Sequence, residues 1–173
     1  MWPALAAGLF YWSAECVLCG KKTPSRQAKS AGFFYWEENM SDEQFIAAFE
    51  AGTLDEFHHK DHIRVAWIYL RKYGVYEGSR RIINGIRNFA ASRNQHNLYH
   101  ETITRFWIRA VAHHIQEAPE ISTFCGFCRN APRLLDSKLI QCHYSPTLLK
   151  SDEARMIFTS PDRMELPDYN SNA

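Results

Sequence analysis

From Ser41 to Pro119 the apolar residues recur every three or four positions, in stretches cut by single glycines or short polar runs. A chain patterned this way buries its apolar stripes by packing helix on helix. Strand-type alternation is nearly absent. The expected fold is all-α: a single-domain helical bundle, a loosely attached N-terminal arm and short C-terminal helices. The 173 residues suit one domain with a real core.

The stretches read in order as follows. Residues 1–39 hold no steady period and read as an extension, with a fresh start at Met40 where Ser41 and Gln44 make a capping-box pattern. A short helix over 42–50 turns Phe45, Ile46 and Phe49 inward, and Gly52 ends it. A central helix is expected from about Asp55 to Lys72, stopped by Gly74. Ser79 then caps a helix through Ala91, and a polar loop covers 92–97. A long helix runs from about Tyr99 to Glu117, with Tyr99, His100, Ile103, Phe106, Trp107, Ala110, Val111 and His114 inward. Beyond Pro119, prolines punctuate short helices that start at Ser145-Pro146 and Ser151-Asp152-Glu153. The helical domain spans 40–167, and a tail covers 168–173.

The bulk numbers narrow the function. Hydrophobic residues make up 46% and charged residues 23%, which places the chain among soluble globular proteins. A formal charge of +1 gives no global pull toward nucleic acid or membrane. No apolar run approaches the roughly 20 residues that span a bilayer. The apolar opening has no preceding Lys or Arg and is a poor secretory signal. Five cysteines, an odd number, fit a reducing compartment, so the cytoplasm is expected.

The chemistry concentrates in Glu56–His62. If the central helix starts near Asp55, Glu56, His59, Ile63, Ala66, Trp67 and Leu70 share one stripe, His62 lies at its margin and Asp61 points away. Helices joined by short loops alternate in direction, so the helices starting near 55 and 99 run parallel with their N-termini at one end. That brings Glu56, His59 and His62 toward Tyr99, His100 and Glu101. Helix N-termini disfavour imidazolium, and neutral imidazole binds metals or acts as a base. His59, His62 and His100 are therefore the candidate ligands of one divalent metal ion, zinc or iron, with an open fourth position. Glu56 is a fourth ligand or base and Tyr99 a hydrogen-bond partner. Glu101 counts among the catalytic candidates, although it projects off the inward stripe. The plainer reading is a set of polar side chains that cap helices and bond to one another.

Other features carry less. His113 and His114 lie about 20 Å from His100 along the third helix. Cys16-x-x-Cys19 and Cys125-x-x-Cys128 have zinc-site spacing, but the pairs are remote in sequence, and packing beside Phe124 and Phe127 accounts for the second. Arg71, Lys72, Arg80, Arg81, Arg87 and Arg93 face a single Glu77, and Arg80, Arg81 and Arg87 read as the solvated back of a helix rather than a nucleic-acid surface. Trp67 and Trp107 fall at core positions.

The block from Phe57 to Trp67, Tyr99-His100-Glu101-Thr102, Tyr144-Ser145-Pro146 and Pro161-Asp162-Arg163 together resemble a family of small, uncharacterised bacterial α-helical proteins. That family carries a Phe-x-His-x-Asp-His block, a Tyr-His-Glu-Thr block and a Pro-Asp tail. The resemblance covers about Met40 to Pro167. It implies that His59, Asp61, His62, Tyr99, His100 and Glu101 are signature positions, and it supplies no reaction. The family has aromatic or apolar residues at the Cys125 and Cys128 positions, which speaks against a zinc ribbon.

Two functions follow as expectations. The first is a small metal-dependent enzyme, hydrolytic or oxidative, acting on a small molecule. The second is a non-catalytic helical module that binds a small ligand or is purely structural. Neither membrane nor nucleic acid is expected as a partner.

Overall fold

The computed structural model describes residues 40–95 and 98–166; the expected arm over 1–39 and the tail over 168–173 lie outside the described residues. The elements are α1 (Asp42–Glu50), α2 (His59–Ser92), α3 (Glu101–Glu117), α4 (Phe124–Asn130), α5 (Ile140–His143), α6 (Pro146–Leu149) and α7 (Asp152–Met156). Two 3-10 turns, Pro132–Leu135 and Ser137–Leu139, sit between α4 and α5. The described residues contain no strand, and the all-α class is as the apolar spacing requires.

Helix α1 begins where its capping box puts it. The Gln44 amide donates to Ser41 Oγ at 3.2 Å, and the Ser41 amide donates to Gln44 Oε1 at 3.0 Å. Phe45 and Phe49 are buried, and Gly52 follows the last turn with φ of 69°.

Helix α2 departs from the sequence reading at both ends of its first arm. It starts at His59, not near Asp55, because the Asp61 carboxylate accepts the His58 amide at 2.7 Å and makes His58 the cap. At Gly74 the backbone takes φ 72°, ψ 177°, a conformation open almost only to glycine. There the chain reverses with no loop, and the helix resumes at once. Ser79 is therefore inside the second arm, its hydroxyl donating back to the Val75 carbonyl at 2.5 Å, and not a cap.

The reversal makes α2 an antiparallel hairpin. A Cβ placed on Gly78 would stand 3.1 Å from Leu70 Cα. His62 and Ala66 line one cavity with Ile86 and Ile82. Each of these pairings, 70 with 78, 66 with 82 and 62 with 86, is centred on residue 74. The hairpin's far end closes on an aromatic trio, with ring centroids 5.2 Å apart for Phe49–Phe57, 5.6 Å for Phe49–Phe89 and 4.7 Å for Phe57–Phe89.

Helix α3 runs parallel to the first arm of α2, as alternation of direction demands, but staggered. The His59 ring lies 4.4 Å from the Trp107 ring, and Arg71 donates to the Pro119 carbonyl at 2.7 Å. The start of α2 is thus level with the second turn of α3 rather than with its cap, His100. Residues all round α3 are buried, Thr102 and Thr104 as well as Phe106 and Val111. The reason is a C-terminal strap. Thr102 Oγ1 donates to the Ile157 carbonyl at 3.0 Å and accepts the Thr159 amide at 3.1 Å. The strap is tied down where Asp162 Oδ1 accepts the Ser145 amide at 2.7 Å, next to the Ser145 cap of α6. No described helix is long and apolar enough to cross a membrane.

Candidate functional site

The three candidate imidazoles have different surroundings. His100 caps α3: its Nδ1 accepts the Ile103 amide at 3.3 Å, which leaves Nε2 to donate to the Leu149 carbonyl at 2.9 Å. Both of its nitrogens are committed to backbone. His59 donates from Nε2 to the Leu134 carbonyl at 2.8 Å. His62 has neither kind of contact. The residue is 6% exposed, and neither Nδ1 nor Nε2 finds a hydrogen-bond partner among the described residues.

The carboxylates are also dispersed. Glu56 falls before α2, off the His59 stripe, and its side chain pairs with His58 Nε2 at 2.7 Å with half its surface exposed. The Glu-x-x-His face expected at the helix start therefore does not form, since the Asp61 cap begins the helix too late. Glu101, expected to project outward, is 5% exposed. It accepts from Tyr99 Oη at 2.5 Å, from Arg87 at 2.9 Å and from Arg105 Nε at 2.5 Å. Burial alone pushes the Glu101 carboxyl up, but the Tyr99 and Arg105 hydrogen bonds and the two guanidinium charges outweigh it, and its pKa lies below the ordinary value.

Among the described residues no group of three or more His, Cys, Asp or Glu side chains is placed to hold an ion. The stagger of the helices is the physical reason: His59 stands over Trp107, while His100 turns to the C-terminal segment.

What the fold does assemble is a buried cavity between the two arms of α2 and α3. His62, Ala66, Ile82, Ile86, Thr104, Trp107 and Ile108 line it, with about 10 Å³ open to the centre of a water-sized group. Thr104 is buried, and its Oγ1 makes no hydrogen bond of ordinary geometry, although it lies near enough to the Tyr99 phenol to oppose the rise of its pKa. That phenol is pushed upward by burial and by the Glu101 carboxylate that accepts its hydrogen bond. Thr104 thus joins the cavity to the Tyr99–Glu101–Arg87–Arg105 cluster. The Phe57 ring packs against His62 at a tilt of 59°, ring centroids 4.1 Å apart. Burial, followed by the neighbouring His59 and His58, drops the His62 pKa to about 3, so the ring is neutral at physiological pH. Burial likewise lowers His59 and His100, against the raising effect of their backbone carbonyl partners.

Sequence reasoning missed Thr104 and Arg105, and it read Arg87, which donates to Glu101, only as part of the solvated back of a helix. Thr104 stands one turn after His100 and three before Trp107, so its place on the inward stripe was readable. Arg105 is four residues after Glu101, a helical ion-pair spacing. Arg87 comes from the second arm, and only the hairpin brings it near. Replacing Glu101 by Gln is expected to cost about 1–2 kcal/mol, kept modest because both arginines are half exposed and screened. Urea unfolding at pH 7 with an unchanged slope measures it.

The remaining basic residues are largely engaged. Arg80 and Arg81 bond Glu77 at 2.8 and 2.7 Å, Arg93 donates to the Leu54 and Asp55 carbonyls, and Lys72 lies 5.3 Å from the Tyr73 ring centre. Near the C-terminal end of α3, His113 pairs with Glu117 at 3.4 Å and His114 with the Ala110 carbonyl at 2.9 Å. Trp67 and Trp107 are core residues, 5% and 7% exposed. Comparison with protein-family models, with curated proteins and with solved structures finds no match, so the reading of function rests on these side chains.

Proposed function

We propose that this chain is a non-catalytic helical module that binds a small, neutral, polar ligand in the cavity between α2 and α3. The supporting observation is the pair of buried side chains, His62 and Thr104, that face a common cavity with hydrogen-bonding capacity unused. An unpaired buried polar group costs about 1–3 kcal/mol, and a ligand that pairs with it recovers that cost. Neutral His62 accepts at one nitrogen and donates at the other, and Thr104 does both, so the pair suits a group with a donor and an acceptor. The open space, about 10 Å³, is the size of one water molecule. The ligand is accordingly a very small molecule, or the hydroxyl or amide head of a longer one.

The charge states favour binding over catalysis. A base titrating near pH 3 has little drive to take a proton at pH 7. The Tyr99 phenol keeps its proton and donates a hydrogen bond to Glu101, which accepts from three donors in all.

Titration with methanol and formamide, read from the His62 ring nitrogens by NMR, tests the proposal. A saturable shift at His62, absent in Thr104→Val and accompanied by a raised melting temperature, is expected. No saturable shift with either probe removes the reading. Stoichiometric zinc or iron in protein purified without a histidine tag, lost in His62→Ala and His100→Ala, would replace it with the metal-dependent enzyme.

A further inference from the structure

The Glu101 cluster sets one enclosed carboxylate against an excess of positive charge. The Glu101 side chain is 7% exposed, while Arg87 and Arg105 keep 50% and 45% of their side-chain surface in solvent. The carboxylate is shut in, and the two guanidiniums that bond to it open outward. Arg87 is fixed twice: its Nη2 donates to Glu101 Oε2 at 2.9 Å, and its guanidinium carbon lies 4.6 Å from the Tyr99 ring centre. Arg105 is held through Nε, 2.5 Å from Glu101 Oε1. The other guanidinium nitrogens of both make no hydrogen bond among the described residues. A third guanidinium borders them, since Arg155 donates to the Tyr99 carbonyl at 3.4 Å. Among the described residues Glu101 is the only carboxylate that acts on Tyr99, and the charges that act on Glu101 are both positive. Three guanidinium charges against one carboxylate leave a surplus of two.

Because Arg87 and Arg105 share one carboxylate, their bonded nitrogens lie within about 8 Å of each other. An oxyanion bonded at about 2.8 Å through two of its oxygens spans the same width. We propose that Arg87 and Arg105, positioned by Glu101 and bordered by Arg155, bind a phosphate dianion, either free or as the head of a small phosphomonoester. A phosphate group carries a charge between about −1.5 and −2 at pH 7, which matches the surplus. A carboxylate ligand neutralises only half of it. The planar fork of arginine suits two oxygens of one acceptor, as a lysine's point charge does not. Arg80 and Arg81 supply the contrast. They share Glu77, but that side chain is 30% exposed, Arg80 spends both Nε and Nη2 on it, and the surplus is one charge. The phosphate site does not draw on the His62 cavity.

The guanidinium nitrogen and carbon signals of Arg87 and Arg105 in the full-length chain are followed by NMR during titration with inorganic phosphate. Sodium chloride holds the ionic strength constant, which removes general screening. Saturable shifts at both residues are expected, with acetate binding about tenfold more weakly or worse. Arg87→Gln and Arg105→Gln should each weaken phosphate binding about tenfold or more, and Arg105→Lys should recover only part of the loss. Arg80→Gln should leave the affinity as it is. Methyl phosphate binding more tightly than inorganic phosphate assigns the site to a monoester, and equal or weaker binding assigns it to free phosphate. Two results overturn the proposal: no saturation at Arg87 and Arg105, or shifts of equal size and midpoint at Arg80 and Arg81. The amide spectrum of each variant shows that it is folded when it is titrated.

Discussion

Acidification from pH 7 to pH 5 is expected to lower the unfolding free energy by about 2 kcal/mol through His62 alone. The folded ring titrates near pH 3 against 6.5 in the unfolded chain, because burial opposes its charge. Between those values the unfolded state binds the extra proton, so the stabilising contribution is complete above pH 6.5 and is lost as pH falls toward 3. The slope is about 1.4 kcal/mol per pH unit, and the full loss is about 4–5 kcal/mol. His59 and His100, also lowered by burial, steepen the same limb. Replacing His62 by Leu should remove the largest part of the slope. It should also raise stability at pH 7 by about 1–3 kcal/mol, since two unpaired nitrogens leave the interior. Urea midpoints across pH 4–8 for both proteins decide the matter. An acid limb of equal steepness in the Leu variant would show that His62 does not control it.

The second large effect belongs to the α2 hairpin. In Gly78→Ala the new Cβ would stand 2.8 Å from the Tyr69 carbonyl oxygen and 3.1 Å from Leu70 Cα, both backbone atoms of the opposite arm. Neither atom can swing aside as a side-chain tip does, so the arms must part. Such overpacking costs about 1–3 kcal/mol, and a clash with backbone belongs at the upper end. Alanine's better helix propensity offsets up to about 1 kcal/mol, leaving a net loss of about 2 kcal/mol. Gly74→Ala acts by a different route, since φ 72° with ψ 177° strains any residue bearing a Cβ by about 1–3 kcal/mol. Both variants should broaden the His62 ring signals, because the cavity wall is built from both arms. A melting temperature unchanged in Gly78→Ala would contradict so close an approach.

The helices were legible because each has a local cause. Ser41 and Gln44, Gly52, Ser145-Pro146 and Ser151 punctuate the chain through bonds to near neighbours, and the structure uses each of them. Parallel placement of α3 against the first arm of α2 followed from short connections alone. The site was less legible, because it depends on quantities that local pattern does not carry. Asp61 moved the start of α2 past Glu56, and a one-turn error at that point reassigns every polar residue ahead of the helix. The stagger between α2 and α3 is set by how His59 fits Trp107 and how Arg71 reaches Pro119, contacts between remote segments. His62, at the margin of its stripe in a single helix, became central once the second arm folded over it. Glu101 went inside for a similar reason, as Arg87 arrived from that arm to neutralise it.

The strap across Thr102 sets an order of events. Thr102 is completely buried, yet its hydroxyl is satisfied only by Ile157 and Thr159, more than fifty positions further along the chain. During synthesis the α2 hairpin, whose arms meet through neighbours close in sequence, closes early. Helix α3 keeps a wet polar flank until Ile157 and Thr159 emerge from the ribosome. A nascent chain halted near Lys150 would therefore display that flank to chaperones, and the segment from Ile157 to Thr159 acts as the latch that ends the exposure.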